Sequence, residues 1–217
     1  MVQVVFSAVM KTLSFYKQNA LTVLAPIYGP RESANIVEYW LEQQLGLTRV
    51  DQVLMAKEIF PFEGYDYELA ELIARKPVQY IVGHTFFYGL KIGLNSETLI
   101  PRPETEELVD WVVNDQDLEV SNILDVCSGS GCITLALSQL FPNAQVSGIE
   151  NSRNAISLAE ENAISLKLPV QFKESDVLNT NQFKNTLKDL TKKVLFDVIV
   201  SNPPYIPQAE KENMDLV

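Results

Sequence analysis

Residues 123–150 read ILDVCSGSGCITLALSQLFPNAQVSGIE, and the order of elements in that stretch decides the fold. Ile123-Leu124-Asp125-Val126 is a short apolar run, followed by a glycine-containing turn and then the helical ITLALSQLF. Gln145 to Glu150 is a second strand that ends in an acid. Beyond it, a helix is expected from about Ser152 to Leu168, with Ala155, Ile156, Ala159 and Ala163 on one side. Val170-Gln171-Phe172 reads as a third strand. Val194 to Val200 reads as a fourth, nearly all apolar, as a strand buried on both faces is. Strands alternating with helices predict a parallel sheet covered by helices, an α/β architecture.

The N-terminal side has another character. Phe6, Val9, Met10 and Leu13 fall at helical spacing. Ser33 is placed to cap a helix through Ile36, Val37, Trp40 and Leu41 that Gly46 would end. A further helix from Asp66 would bury Leu69, Leu72 and Ile73 and stop near Pro77. By periodicity alone this is a small helical bundle, as readily structural in role as functional. Residues 77–103 are rich in aromatic and β-branched residues punctuated by glycine, the pattern of a hairpin connector. Pro103 suits the first turn of a following helix, with Glu104, Glu106 and Glu107 near its positive end. The expected domains are therefore 1–76, 77–103 and 104–217.

Composition narrows the function. The 217 residues carry a net charge of −11, of which −2 falls in residues 1–83 and −9 in residues 84–217. A broad electrostatic grip on nucleic-acid phosphates is not expected from such a surface. One histidine, His84, excludes a multi-histidine metal site and is expected to pack in the hairpin turn. Cys127 and Cys132 are too few for a disulfide scaffold and read as small packing residues. No apolar run approaches a membrane span, and the start MVQVVFSAVMK lacks the basic n-region of a signal peptide. A soluble, cytoplasmic protein is expected.

Three constellations carry chemistry. In the first, Cys127-Ser128-Gly129-Ser130-Gly131 would bring backbone amides to a ligand at a helix start. A tight turn that binds nothing would look the same. Glu150, about 20 residues on, adds a carboxylate that can accept both hydrogens of a ribose diol. The nicotinamide fingerprint is not met, because Cys127 stands at its first glycine and no glycine follows Gly131 three residues on. In the second, Glu174-Ser175-Asp176-Val177 after the third strand offers an acceptor for an exocyclic amino group, or is simply a polar loop. The third is Ser201-Asn202-Pro203-Pro204-Tyr205 after the fourth strand. The Asn202 side-chain oxygen and the Pro203 carbonyl can each accept one hydrogen of a planar –NH2 group. Tyr205 can pack on its π-face, and Pro203 and Pro204 stiffen the receptor.

The chain resembles class I S-adenosylmethionine-dependent methyltransferases, specifically the HemK/PrmC protein-(glutamine-N(5)) methyltransferases of peptide chain release factors. Residues from about 70 onward carry the resemblance. Arg75 to Gly83 looks like the family's connector signature, and Leu99-Ile100-Pro101-Arg102-Pro103-Glu104-Thr105-Glu106 matches its PRPETE segment. The resemblance implies a Rossmann-like sheet preceded by a helical release-factor-docking domain, with S-adenosyl-L-methionine as cofactor. It implies cofactor contacts from Cys127, Ser128, Gly129, Ser130, Gly131, Glu150, Asp176, Val177 and Asn202. Asn202, Pro203, Pro204 and Tyr205 would hold the substrate amide. Arg102 would bind a substrate or cofactor carboxylate, or else tie the connector to the catalytic domain. The implied partners are class-1 release factors, with no direct nucleic-acid or membrane binding and a monomeric protein. The alternatives are an adenine N6 or guanine N2 methyltransferase, and a chain that only binds.

Two departures from the family pattern set further expectations. Cys127 in place of glycine is tolerable if it keeps a β conformation. The family's sheet has seven strands in the order 3-2-1-4-5-7-6, whereas this chain stops 12 residues past Tyr205. Strands 1–4 alone are expected, with about 60 residues of typical elements missing. Such a truncated chain would leave strand four a bare apolar edge and would be poorly stable or inactive.

Overall fold

The computed structural model describes residues 10–114, 120–191 and 195–204. The chain divides between Val82 and Gly83 into two compact units.

The first unit contains β1 (Met10–Thr12), α1 (Leu13–Tyr28), α2 (Pro30–Leu45), α3 (Arg49–Leu54), β2 (Ile59–Pro61), α4 (Tyr65–Ile73) and α5 (Val78–Val82). Its core gathers Tyr16, Trp40, Phe62 and Tyr65, with Trp40 stacked on Tyr65 at 5.2 Å. Three expectations are corrected here. Met10 is not helical: Met10–Thr12 pairs antiparallel with Ile59–Pro61, and the Thr12 hydroxyl caps α1 by accepting from the Phe15 amide. Phe6 and Val9 lie outside the described residues. Ser33 does not cap α2, which starts three residues earlier at Pro30 with Gly29 as its N-cap. Proline is pre-set for that first helical position, and the Ser33 hydroxyl instead donates back to the Gly29 carbonyl at 2.6 Å. Gly46 ends α2 in the left-handed conformation, as expected. Finally, Leu69 and Leu72 are buried on α4 but Ile73 is 43% exposed.

The second unit opens with an antiparallel hairpin, β3 (His84–Phe87) and β4 (Leu90–Gly93), closed at Tyr88-Gly89. Both turn residues have positive φ, 50° and 76°, the twist a two-residue hairpin loop requires. Then follow α6 (Pro103–Asn114), β5 (Asn122–Val126), α7 (Cys132–Leu140), β6 (Gln145–Glu150), α8 (Arg153–Leu166), β7 (Val170–Glu174), α9 (Thr180–Thr191) and β8 (Val198–Ser201). The last four strands form one parallel sheet in the order β7-β6-β5-β8. The α/β class and the helical N-terminal region agree with the sequence reading.

The direction of winding reverses between β7 and β8. The carboxyl ends of β5 and β8 therefore flank a topological switch point, where open α/β sheets bind ligands. One face of the sheet packs on α9 through Leu124, Ile149 and Leu190, joined by Val126, Val177, Phe183, Leu187 and Phe196. The fourth strand is shorter than its apolar run suggests and is not buried on both faces. Val194 lies outside the described residues, Leu195 to Asp197 precede the strand, and Ile199 is 64% exposed. The physical reason is position: among the described residues β8 lies at the edge of the sheet, and Ile199 is not in the cluster packed on α9. Among the described residues no helix is long and apolar enough to cross a membrane.

Candidate functional site

The site is built where β5, β6, β7 and β8 end. From β5 the chain enters the loop Cys127–Gly131 and then α7. The loop is laced to the next strand: the Ser128 amide donates to the Ile149 carbonyl at 3.0 Å, and the Gly129 amide donates to Glu150 Oε2 at 3.0 Å. The other Glu150 oxygen accepts from the amides of Asn151 (2.8 Å) and Ser152 (3.1 Å). Glu150 thus sets the position of the loop as well as offering acceptor oxygens beside it. Within the loop, the Gly131 amide donates to Ser128 O at 2.8 Å.

Cys127 has φ of 64°, so the expectation of a β conformation there is wrong. A left-handed residue with a Cβ costs about 1–2 kcal/mol, and glycine's extra chain entropy returns about 0.5–1 kcal/mol of that in the unfolded state. Cys127→Gly is therefore expected to raise stability by about 0.5–1 kcal/mol, read as a higher thermal midpoint. A lower midpoint would mean that packing of the half-buried thiol outweighs backbone strain.

Two buried side chains brace the loop from behind. Asp125 Oδ2 accepts from both the amide (3.1 Å) and the hydroxyl (2.7 Å) of Thr134, fixing the first turn of α7. Burial pushes the Asp125 carboxyl up to about 7, against the lowering effect of the Thr134 hydrogen bonds, and nearby Glu150 adds to the rise. Burial, with Asp125 adding to it, likewise pushes the Cys132 thiol up to about 12. Asn162 of α8 accepts from the Gly93 amide at 2.8 Å and donates to the Gly93 and Ser130 carbonyls at 3.2 and 3.0 Å. It joins the hairpin to the glycine loop. Neither Asp125 nor Asn162 was singled out for this role from sequence, because nothing local to either residue announces its partners.

After β7, the Ser175 amide donates to the Glu150 carbonyl at 2.8 Å, Asp176 Oδ1 accepts from the Leu178 amide at 2.9 Å, and Val177 packs into the α9 cluster. Glu174 is exposed and pairs with Arg153 at 3.5 Å. The Ser128 and Ser175 hydroxyls flank the end of β6, are buried, and have no hydrogen-bond partner among the described residues. Buried polar atoms are normally satisfied, and Asp125 Oδ1 and the Ser147 hydroxyl are likewise buried without a partner among the described residues.

Across the switch point, the Ser201 hydroxyl donates to Val126 O at 2.7 Å and ties the end of β8 to β5. Asn202 is half-buried, and its Nδ2 donates to the Thr105 hydroxyl at 3.1 Å. Pro203 and Pro204 are exposed, and Tyr205 lies outside the described residues. Arg102 is also exposed, and its carbonyl accepts from the Thr105 amide at 2.9 Å. The hairpin is tied to α6 by its neighbour: Glu106 accepts from the Tyr88 amide at 2.6 Å, and Asp110 accepts from the Tyr88 hydroxyl at 2.8 Å. His84 is buried at the start of β3, edge-on to Phe86, rather than in the turn. Among the described residues no group of three or more His, Cys, Asp or Glu side chains could hold a metal ion.

Comparison with known proteins agrees with this geometry. The family model described as the methyltransferase small domain matches residues 105–216. A release factor glutamine methyltransferase of Flavobacterium psychrophilum is 37% identical over 207 residues, covering 92% of this chain and 69% of that protein. One of Bacteroides thetaiotaomicron is 34% identical, covering 88% of this chain and 67% of that protein. One of Streptococcus pneumoniae is 39% identical, covering 89% of this chain and 62% of that protein.

Proposed function

We propose, because this chain belongs to the release factor glutamine methyltransferase family, that the protein methylates the side-chain amide nitrogen of a glutamine in a class-1 peptide chain release factor. S-adenosylmethionine, when bound, supplies a methyl group activated by its positive sulfonium. The chain's own residues do the rest. The loop Cys127–Gly131 lies against the ligand, Glu150 takes the ribose diol, and Asp176 with Val177 receives the adenine. The helical unit docks the release factor, and the protein acts as a cytoplasmic monomer.

An amide nitrogen is a poor nucleophile because its lone pair is delocalised into the carbonyl. Asn202 Oδ1 and the Pro203 carbonyl accept its two hydrogens, aim the nitrogen, and stabilise positive charge as it develops. Its proton can leave after transfer, so no general base is required. Tyr205 packs on the amide plane, and Pro204 stiffens the loop. Arg102 serves as an exposed contact for a substrate carboxylate.

The observation that carries this reading is the placement of the Asn202 amide at the end of β8, beside the β5 strand whose loop is tied to Glu150. The test is methyl transfer from labelled S-adenosylmethionine to a release factor, to the same factor with the acceptor glutamine replaced, and to RNA and DNA. Label is expected on the unaltered release factor alone. Label on nucleic acid would overturn the reading in favour of an adenine or guanine amino-methyltransferase, which the −9 charge of residues 84–217 already disfavours. Saturable cofactor binding with no transfer to any acceptor would support a binding role.

A further inference from the structure

We propose that Asn162 is a positioning residue for the cofactor loop: from α8 it holds the Ser130–Gly131 peptide in one orientation and makes cofactor affinity depend on the hairpin strand β4. The inference rests on the reading of Cys127–Gly131 as the loop that binds S-adenosylmethionine. A peptide group is planar, with its N–H and C=O pointing in opposite directions. The Gly131 amide donates within the loop, to Ser128 O at 2.8 Å, and the Ser130 carbonyl of the same peptide accepts from Asn162 Nδ2 at 3.0 Å. That second hold matters because Gly131, with φ of 80°, has no side chain to favour one rotation of the peptide before it. Turning the peptide over would break the Gly131–Ser128 bond and reshape the loop that Glu150 grips at Gly129.

The partners leave the Asn162 amide a single orientation. Its Oδ1 accepts from the Gly93 amide at 2.8 Å, while Nδ2 donates to the Gly93 carbonyl at 3.2 Å and to the Ser130 carbonyl. A backbone N–H only donates and a carbonyl only accepts, so a reversed amide would set donor against donor and acceptor against acceptor. Asn162 and Ser130 are both buried, so each bond lost there leaves a polar group unsatisfied. Gly93 completes the arrangement. Its φ is not positive, so the demand for glycine is again one of space. A Cβ there would lie 2.8 Å from Asn162 Oδ1, whereas the next side chain, Leu158, has its nearest atom 3.8 Å away. The hairpin is therefore glycine at the point where it admits the α8 side chain that also holds the cofactor loop.

Four forms of the protein test this: the unaltered chain, Gly93→Ala, Asn162→Ala and the double variant. In calorimetric titration, S-adenosylmethionine is expected to bind each single variant about tenfold more weakly than the unaltered chain. The double variant is expected to bind within about twofold of Asn162→Ala, because Gly93→Ala acts by displacing Asn162 and has nothing left to displace. Unchanged affinity in either single variant, or losses that multiply in the double variant, would overturn the proposal.

A second readout does not depend on the cofactor. Hydrogen exchange of the Gly131 amide, followed by nitrogen-15 NMR, reports on the peptide that Asn162 holds, and the amides of β6 serve as the control. In both single variants the Gly131 amide is expected to exchange about tenfold faster while those of β6 keep their rates. An unchanged Gly131 rate would mean that the peptide is not held by Asn162, and an equal acceleration of Gly131 and β6 would mean that Asn162 only stabilises the unit as a whole. Either result would overturn the proposal. Failure of the unaltered chain to bind S-adenosylmethionine would count against the function proposed above, and the exchange rates would still decide whether Asn162 positions the loop.

Discussion

Asn202→Ala is expected to lower turnover by roughly 10²–10³-fold, with a much smaller change in cofactor affinity. The magnitude follows from what Asn202 would do in the transition state. As the amide nitrogen takes a methyl group it loses conjugation and gains positive charge, so its hydrogens become stronger donors. An acceptor already aimed at one of them gains strength at that moment and pays no reorganisation. Removing it discards an interaction made mainly in the transition state, which lowers kcat and kcat/KM together rather than raising KM alone. Asn202→Asp is the informative companion. It keeps an acceptor but loses the Nδ2 donor that reaches Thr105 Oγ1 at 3.1 Å in the native side chain. It is expected to fall between the native protein and Asn202→Ala. Native turnover in Asn202→Ala would remove Asn202 from the mechanism.

How much of this was legible in the sequence depended on how local each signal was. The strand Gln145–Glu150 was readable end to end, and the α8 helix was readable to within two residues at its C-terminus. Hydrophobic pattern and caps there lie within a few residues of each other. The strand Met10–Thr12 was not readable, because its partner Ile59–Pro61 lies nearly fifty residues away and its spacing imitates a helix. The helix α9 has no strong apolar run to announce it, although Phe183, Leu187 and Leu190 keep helical spacing and supply its buried side.

At the site, the sequence placed Glu150 and Asn202 at strand ends. It did not show that Glu150 would be occupied by three backbone amides, nor that Asn202 would lean on Thr105. Those are tertiary facts. The PRPETE segment is visible as a motif, but its charged Arg102 proves exposed and its buried polar residue is Thr105, three positions on. Cys127 is a different kind of miss. Residue identity argued against a positive φ, and the geometry of the loop prevailed over it.

Gly148→Ala is expected to destabilise the second unit by about 3 kcal/mol, the upper end of what overpacking a filled core costs, and to weaken cofactor binding with it. Gly148 does not have a positive φ, so the demand for glycine is one of space. A Cβ there would lie 2.5 and 2.6 Å from Cδ1 and Cε1 of Phe172 and 3.0 Å from the Ser128 hydroxyl. The strand cannot slide to make room, because β6 is paired on both sides, with Asp125 and Phe172 in register with Gly148. The Phe172 ring cannot retreat toward the loop either. A Cβ built on Gly131 would come within 2.8 Å of Cζ of the same ring, so Phe172 already fills the space against both glycines. Pushing the ring therefore presses on Gly131 and Ser128, and the strain reaches the loop that Glu150 holds. A thermal midpoint lower by roughly 6–12 °C is the expected reading for a chain of this size. Phe172→Leu introduced into Gly148→Ala is expected to restore at least half of the loss, although Phe172→Leu alone costs stability, since neighbours in contact do not add. A double variant no more stable than Gly148→Ala would show that the ring is not what the glycine makes room for.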